Sequence, residues 1–179
     1  MVDLGTGDGR FVLHRAKADP RALVIGIDAD AASMRAAARK AGANKTALPN
    51  ALFVVASAEQ LPRELDGFAH EVRIHFPWGS LLRGLLQGEP WLLAGLARLT
   101  APGAVITALV SVTEHDAGAA ARMPVDPWAL APAYEGAGIS LREIRSATLD
   151  ELAAGRSSWA KRLGAGSSRP VTLLRAERT

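Results

Sequence analysis

The chain is expected to fold as an α/β protein, with a mostly parallel, twisted sheet and helices on both of its faces. Three observations predict this. Short apolar runs alternate with stretches of helical length along the whole sequence. Between the first run and the first helical stretch stands a turn with glycine at every second position, Gly5-Thr6-Gly7-Asp8-Gly9. The second run, Ala22 to Asp28, is apolar throughout and ends in an acid, as a strand covered on both faces does.

Each element follows from local chemistry. Val2 to Leu4 opens as a strand, and a helical pattern runs from the glycine turn to about Ala18. Asp30 offers a side-chain acceptor to the first amides of an alanine-rich helix reaching about Ala41. Ala51 to Ala56 is the third strand. Ser57-Ala58-Glu59-Gln60 has the spacing of a capping box and predicts a helix start, before Pro62 and Gly67 break the chain. The alternating run Glu71 to His75 predicts a strand that stops at Phe76-Pro77-Trp78-Gly79. Helices are expected over Trp78 to Leu86 and Pro90 to Leu99, a fifth strand over Gly103 to Val110, and a linker over Ala117 to Pro127. A helix from Asp126 to Ala137, a strand from Ile139 to Arg145, a helical stretch from Leu149 to Leu163 broken at Gly155, and a last strand from Val171 to Ala176 complete the chain.

At 179 residues, 49% of them apolar, residues 1–179 are expected to form one domain with a core of its own. There is no cysteine, which excludes disulfides and thiolate metal sites. His70 and His75 sit an odd number of positions apart in one strand and point to opposite faces, so no metal centre is expected. The longest apolar runs, Ala22 to Ile27 and Ala104 to Val112, fall far short of the ~20 residues of a membrane helix. Met1 to Arg10 carries Asp3 and Asp8 and lacks a signal-peptide core, so a cytoplasmic chain without membrane contact is expected. The formal net charge is +3. From Ser140 onward there are eight basic residues (Arg142, Arg145, Arg156, Lys161, Arg162, Arg169, Arg175, Arg178) against four acidic ones (Glu143, Asp150, Glu151, Glu177). A surface of that kind suits a polyanion, although a solvated charged face is the commoner explanation.

Gly5, Gly7 and Gly9 follow a strand and precede a helix, where they let backbone amides approach a ligand. Their spacing departs by one residue from the dinucleotide fingerprint. Asp28 ends the next strand, ~20 residues on, where an acid accepts hydrogen bonds from ribose hydroxyls. Together these predict a nucleoside-containing cofactor. Glu59 has two readings, an adenine contact or a first-turn acid favoured by the helix dipole.

Asp3-x-Gly5-x-Gly7-x-Gly9 with Asp28 is similar to the pattern of class I S-adenosylmethionine-dependent methyltransferases. Three stretches narrow the likeness: Val2 to Gly9, Phe76 to Gly84, and Ser157-Ser158-Trp159-Ala160-Lys161-Arg162-Leu163 resemble the aminoglycoside-resistance 16S rRNA (adenine 1408-N1) methyltransferases. Leu48-Pro49-Asn50 and Ala58-Glu59-Gln60-Leu61-Pro62 fit as well, so the resemblance runs along nearly the whole chain.

The resemblance implies a Rossmann-like fold with an antiparallel C-terminal strand, S-adenosylmethionine as cofactor and S-adenosylhomocysteine as product. It implies methyl transfer to N1 of adenine 1408 in helix 44 of 16S rRNA, at the A site of the 30S subunit, by a monomer. Asp3, Gly5 and Gly7 would border the methionine part, Asp28 the ribose, Ala58 and Glu59 the adenine, and Ser80 would touch the cofactor. Trp78 and Trp159 would grip a flipped base between them, with the carbonyls of Phe76 and Pro77 toward its amine and Ser157 on the nucleotide backbone. Arg162, Lys161, Arg169, Arg39, Lys40 and Lys45 would dock on rRNA, and Glu114 and Arg122 lie in the linker that helps hold the base. Trp91 and Trp128 match no such position and are expected to be packing residues. Family members carry roughly another hairpin's length before the glycine-rich strand; Met1 stands almost on it, so the N-terminal family hairpin is expected to be absent. Two other functions fit the same residues: a ribosome-binding homologue without turnover, and a methyltransferase for another RNA or a small molecule.

Overall fold

The structure is a computed structural model and describes residues 1–43, 47–112, 123–155 and 169–179. The glycine turn separates β1 (Val2–Leu4) from α1 (Arg10–Ala18). Next come β2 (Val24–Asp28), α2 (Ala31–Ala41) and β3 (Ala51–Val55). The central strand β4 (Ala69–His75) leads to α3 (Gly79–Gln87) and α4 (Pro90–Leu99), and β5 (Thr100–Val110) follows directly. After a short 3-10 helix at Pro127–Leu130 come α5 (Ala131–Gly136), β6 (Ile139–Ser146), α6 (Leu149–Ala154) and β7 (Thr172–Arg178).

These strands form one sheet in the order β3-β2-β1-β4-β5-β7-β6. All neighbours are parallel except β7, which runs antiparallel to both β5 and β6. The expected antiparallel C-terminal strand is therefore present, inserted between its two predecessors. The chain winds outward from β1 in one direction through β2 and in the other through β4. A crevice opens outside the carboxyl ends of β1 and β4, where the winding reverses.

Alternation along the strands sends adjacent side chains to opposite layers. Ile25 and Ile27 join the main core with Val72, Ile74, Ile106 and the leucines of α3 and α4, whereas Val24 packs with Val12 and Ala16 of α1 on the other face. The helices carry apolar residues at helical spacing, and Leu92, Leu93, Leu96 and Leu99 of α4 are all buried. Tyr134 ties α5 to α3 by donating its hydroxyl to the Leu85 carbonyl at 3.0 Å, and burial pushes that phenol well above its ordinary range.

Some sequence expectations change. Ser57 to Gln60 form a turn closed by the Gln60 amide on the Ser57 carbonyl at 3.1 Å; no capping box or helix forms, because Pro62 follows at once with no apolar repeat to bury. The helix expected from Asp126 is split into the 3-10 helix and α5, with Asp126 capping the former. Trp128 is not core filler: it is 46% exposed. The linker between positions 113 and 122 and the helical extension beyond Gly155 fall outside the described residues. No helix among the described residues is long and apolar enough to cross a membrane.

Candidate active site

The crevice holds a cavity of about 590 Å3, within the usual range for a small-molecule site. One wall is the glycine turn. Gly7 has φ 55°, and a Cβ added there would meet nothing within 4 Å, so its backbone faces open space. Gly9, at φ 69°, serves packing: a Cβ there would lie 2.5 Å from Phe53 and 2.7 Å from Ala37. Asp28 organises this wall, with Oδ2 accepting the Gly7 amide at 2.8 Å and Oδ1 the Asp30 amide at 2.9 Å. Each oxygen keeps a lone pair for a ligand hydroxyl. Ser33 adds a tie from α2, its Oγ 2.9 Å from the Gly7 carbonyl and 2.8 Å from that of Asp30.

A second wall is the turn at Ala58 and Glu59. The Ser80 hydroxyl, together with the local backbone and Ser57, holds the Glu59 carboxyl below its usual range despite partial desolvation. This turn and the start of α3, distant in sequence, thus meet in the cavity lining.

The third wall is Phe76-Pro77-Trp78. Phe76 has φ 53°, the one non-glycine residue with positive φ among the described residues. Its ring is buried with Leu109, Val171 and Leu173, and its amide donates to the Leu109 carbonyl at 2.8 Å; that packing holds the strained backbone. The chain is thereby turned so that Trp78 stands at the rim, 53% exposed, as the N-cap of α3. Beneath it Asp3, 2% exposed, accepts the Thr6 hydroxyl at 2.5 Å, and His75 Nδ1 lies 3.2 Å from its other oxygen.

Asp3, Gly5, Gly7, Asp28, Ala58, Glu59, Phe76, Pro77, Trp78 and Ser80 accordingly all line one cavity. Arg39 and Lys40 do not approach it: they close the last turn of α2, whose first turn is the one beside Asp28. Arg169 is engaged with the residue that follows β5, donating from Nε to Ser111 Oγ at 3.3 Å and from a terminal nitrogen to the Ser111 carbonyl at 3.4 Å. Lys45, Glu114, Arg122, Ser157, Trp159, Lys161 and Arg162 lie outside the described residues. Sequence reasoning missed Thr6, Ser33, Phe11 and His75, which also line the cavity. The available signals were a hydroxyl inside the glycine turn and a histidine immediately before Phe-Pro-Trp.

The open backbone at Gly7, the free lone pairs of Asp28 and an anionic Glu59 match the polar edges of a nucleoside with a short charged chain. The chain is a class I S-adenosylmethionine-dependent methyltransferase, as this crevice and the inserted β7 indicate. The family model NpmA: 16S rRNA (adenine(1408)-N(1))-methyltransferase matches residues 1–178, and the chain belongs to that family. The 16S rRNA (adenine(1408)-N(1))-methyltransferase of Streptoalloteichus tenebrarius is 36% identical over 181 residues, covering 94% of this chain and 82% of that protein. Its counterpart from Streptoalloteichus hindustanus is 38% identical over 184 residues with the same coverage. Among solved structures, the 16S rRNA methyltransferase KamB superposes with a TM-score of 0.88 at 34% identity, over 99% of this chain and 86% of that one. A tryptophan-to-alanine mutant of the enzyme from Catenulisporales acidiphilia, with cosubstrate SAM, gives 0.87 at 32% identity, over 99% and 84%.

Proposed function

We propose that this chain methylates N1 of adenine 1408 in helix 44 of 16S rRNA, on the 30S subunit in the cytoplasm, and so confers resistance to kanamycin- and apramycin-type aminoglycosides. It acts as a monomer and as one domain over residues 1–179. The observation that carries the reading, beside family membership, is the exposed Trp78 indole at the rim of a cavity suited to the cofactor.

When bound, S-adenosylmethionine supplies an electrophilic sulfonium methyl and leaves as S-adenosylhomocysteine. Asp28 takes the ribose hydroxyls, Ala58 and Glu59 the adenine, and Asp3, Gly5 and Gly7 border the methionine part, with Ser80 holding Glu59 in place. Adenine N1 has a lone pair and no proton to lose. It bonds to the methyl carbon as the carbon–sulfur bond breaks, so the protein's task is alignment and exclusion of water. Trp78 and Trp159 stack on the flipped base and favour the cationic ring that results. Carbonyls of Phe76 and Pro77 receive the exocyclic amine, and Ser157 holds the nucleotide backbone. Arg162, Lys161, Arg169, Arg39, Lys40, Lys45 and Arg122, with Glu114, make up the rRNA contact.

Expression in an aminoglycoside-sensitive bacterium, with primer extension across the A site, tests the reading. Extension should stop at adenine 1408. Free read-through while soluble protein accumulates would refute it.

A further inference from the structure

The carboxyl ends of β1 and β4 carry the two halves of the site, yet the main-chain ladder between them is short. Val2 pairs with Val72 and Asp3 with Arg73. Past that register β1 turns away into the glycine loop and β4 into the Phe76 turn. The link beyond it is made by side chains. His75 Nδ1 stands 3.2 Å from Asp3 Oδ1, while Thr6, within the glycine loop, donates to Oδ2 at 2.5 Å. The pair is enclosed, with side chains 10% and 2% exposed, and the imidazole meets the Phe11 ring edge-on at a centroid distance of 4.5 Å. A carboxylate only accepts hydrogen bonds, so Nδ1 carries the proton and the imidazole is the donor.

We propose that His75 is a positioning residue for methyl transfer. Acting through Asp3, it sets the separation between the glycine loop, which borders the methionine part of the cofactor, and the turn that presents Trp78. The inference rests on the reading of Asp3 and Trp78 given above. Its logic is the location of His75. It is the last residue of β4, immediately before the strained Phe76, and it bonds the acid that Thr6 anchors to the loop. Transfer requires the attacking and methyl atoms at ~3–3.5 Å, and a misplacement of ~1 Å costs ~100-fold in rate. A packing histidine resting on Phe11 would have no such effect once its bulk is replaced.

The test compares the wild-type chain with His75→Leu, which retains bulk and loses the donor, and His75→Asn, whose amide can still donate to Asp3. Calorimetry measures S-adenosylmethionine affinity, single-turnover methylation of 30S subunits measures transfer, and thermal denaturation checks the fold. His75→Leu should bind the cofactor about 10-fold more weakly, as befits one lost hydrogen bond to a charged group, and transfer ~100-fold more slowly. His75→Asn should recover most of both. Wild-type behaviour of His75→Leu, or no recovery in a folded His75→Asn, would overturn the proposal. If the wild-type chain leaves 30S subunits unmethylated, the functional reading fails, and the affinity series still decides the role of His75 by the same two outcomes. Should His75→Leu not fold, His75→Ala, alone and combined with Asp3→Asn, replaces it: a loss of cofactor affinity in His75→Ala that does not add to the loss in Asp3→Asn supports the link, and additive losses overturn it.

Discussion

The Gly7 amide donates to Asp28 Oδ2 at 2.8 Å, so the glycine loop and the proposed ribose acceptor are a single hydrogen-bonded unit. Gly7 and Gly9 share a left-handed backbone but differ in what surrounds them. Gly7→Ala would place its methyl in open cavity, so only the backbone term of about 1–2 kcal/mol is lost, while cofactor affinity should fall at least ~10-fold by occlusion. Gly9→Ala would drive its methyl into Phe53 and Ala37, adding ~1–3 kcal/mol of overpacking to the same backbone term. Thermal denaturation and calorimetry on the two variants should therefore rank them in opposite orders.

Trp78 is half in solvent, so its removal costs the fold little. Trp78→Ala should keep its melting temperature and cofactor affinity near wild type. Methylation of 30S subunits should fall by ~10- to 100-fold, the equivalent of ~1–3 kcal/mol of lost base stacking. Equal activity in single-turnover assays would remove Trp78 from the base-binding role.

A third expectation concerns acid stability. The Arg145 guanidinium, at 2.7 and 2.9 Å, together with the Thr148 amide at 2.8 Å, lowers the Glu151 carboxyl from 4.5 to about 2. A carboxyl depressed in the folded state stabilises it fully above the unfolded value and loses that contribution as pH falls through the folded one. The window is thus about 4.5 down to about 2. Glu151→Gln preserves the capping geometry with Thr148 while deleting the charge. It should cost no more than ~1 kcal/mol at neutral pH, as a partly exposed ion pair does, and flatten the melting temperature against pH across that window.

How much of this was legible in the chain differs by residue. Asp28 and the glycine turn could be read because their cues are local: an apolar strand ending in an acid, and alternating glycines between a strand and a helix. Glu59 misled as a capping-box neighbour, since the same four residues suit a turn and only the absence of a following apolar repeat decides. Its tie to Ser80 depends on two loops meeting at the crevice. Trp128 looked like core because its type is usually buried, and its exposure follows from the 3-10 helix that carries it.

The succession of strands and helices along the chain, the glycine turn and the acid that ends the second strand were set by the sequence itself, because apolar periodicity and turn chemistry act over a few neighbouring residues. The left-handed backbone of Phe76 was decided by tertiary structure, since only the packing of its ring on Leu109, Val171 and Leu173 makes that conformation tolerable. The same holds for the bond from His75 to Asp3, across 72 positions. It exists only because the sheet places β1 beside β4, and long-range pairing of that kind leaves no local trace.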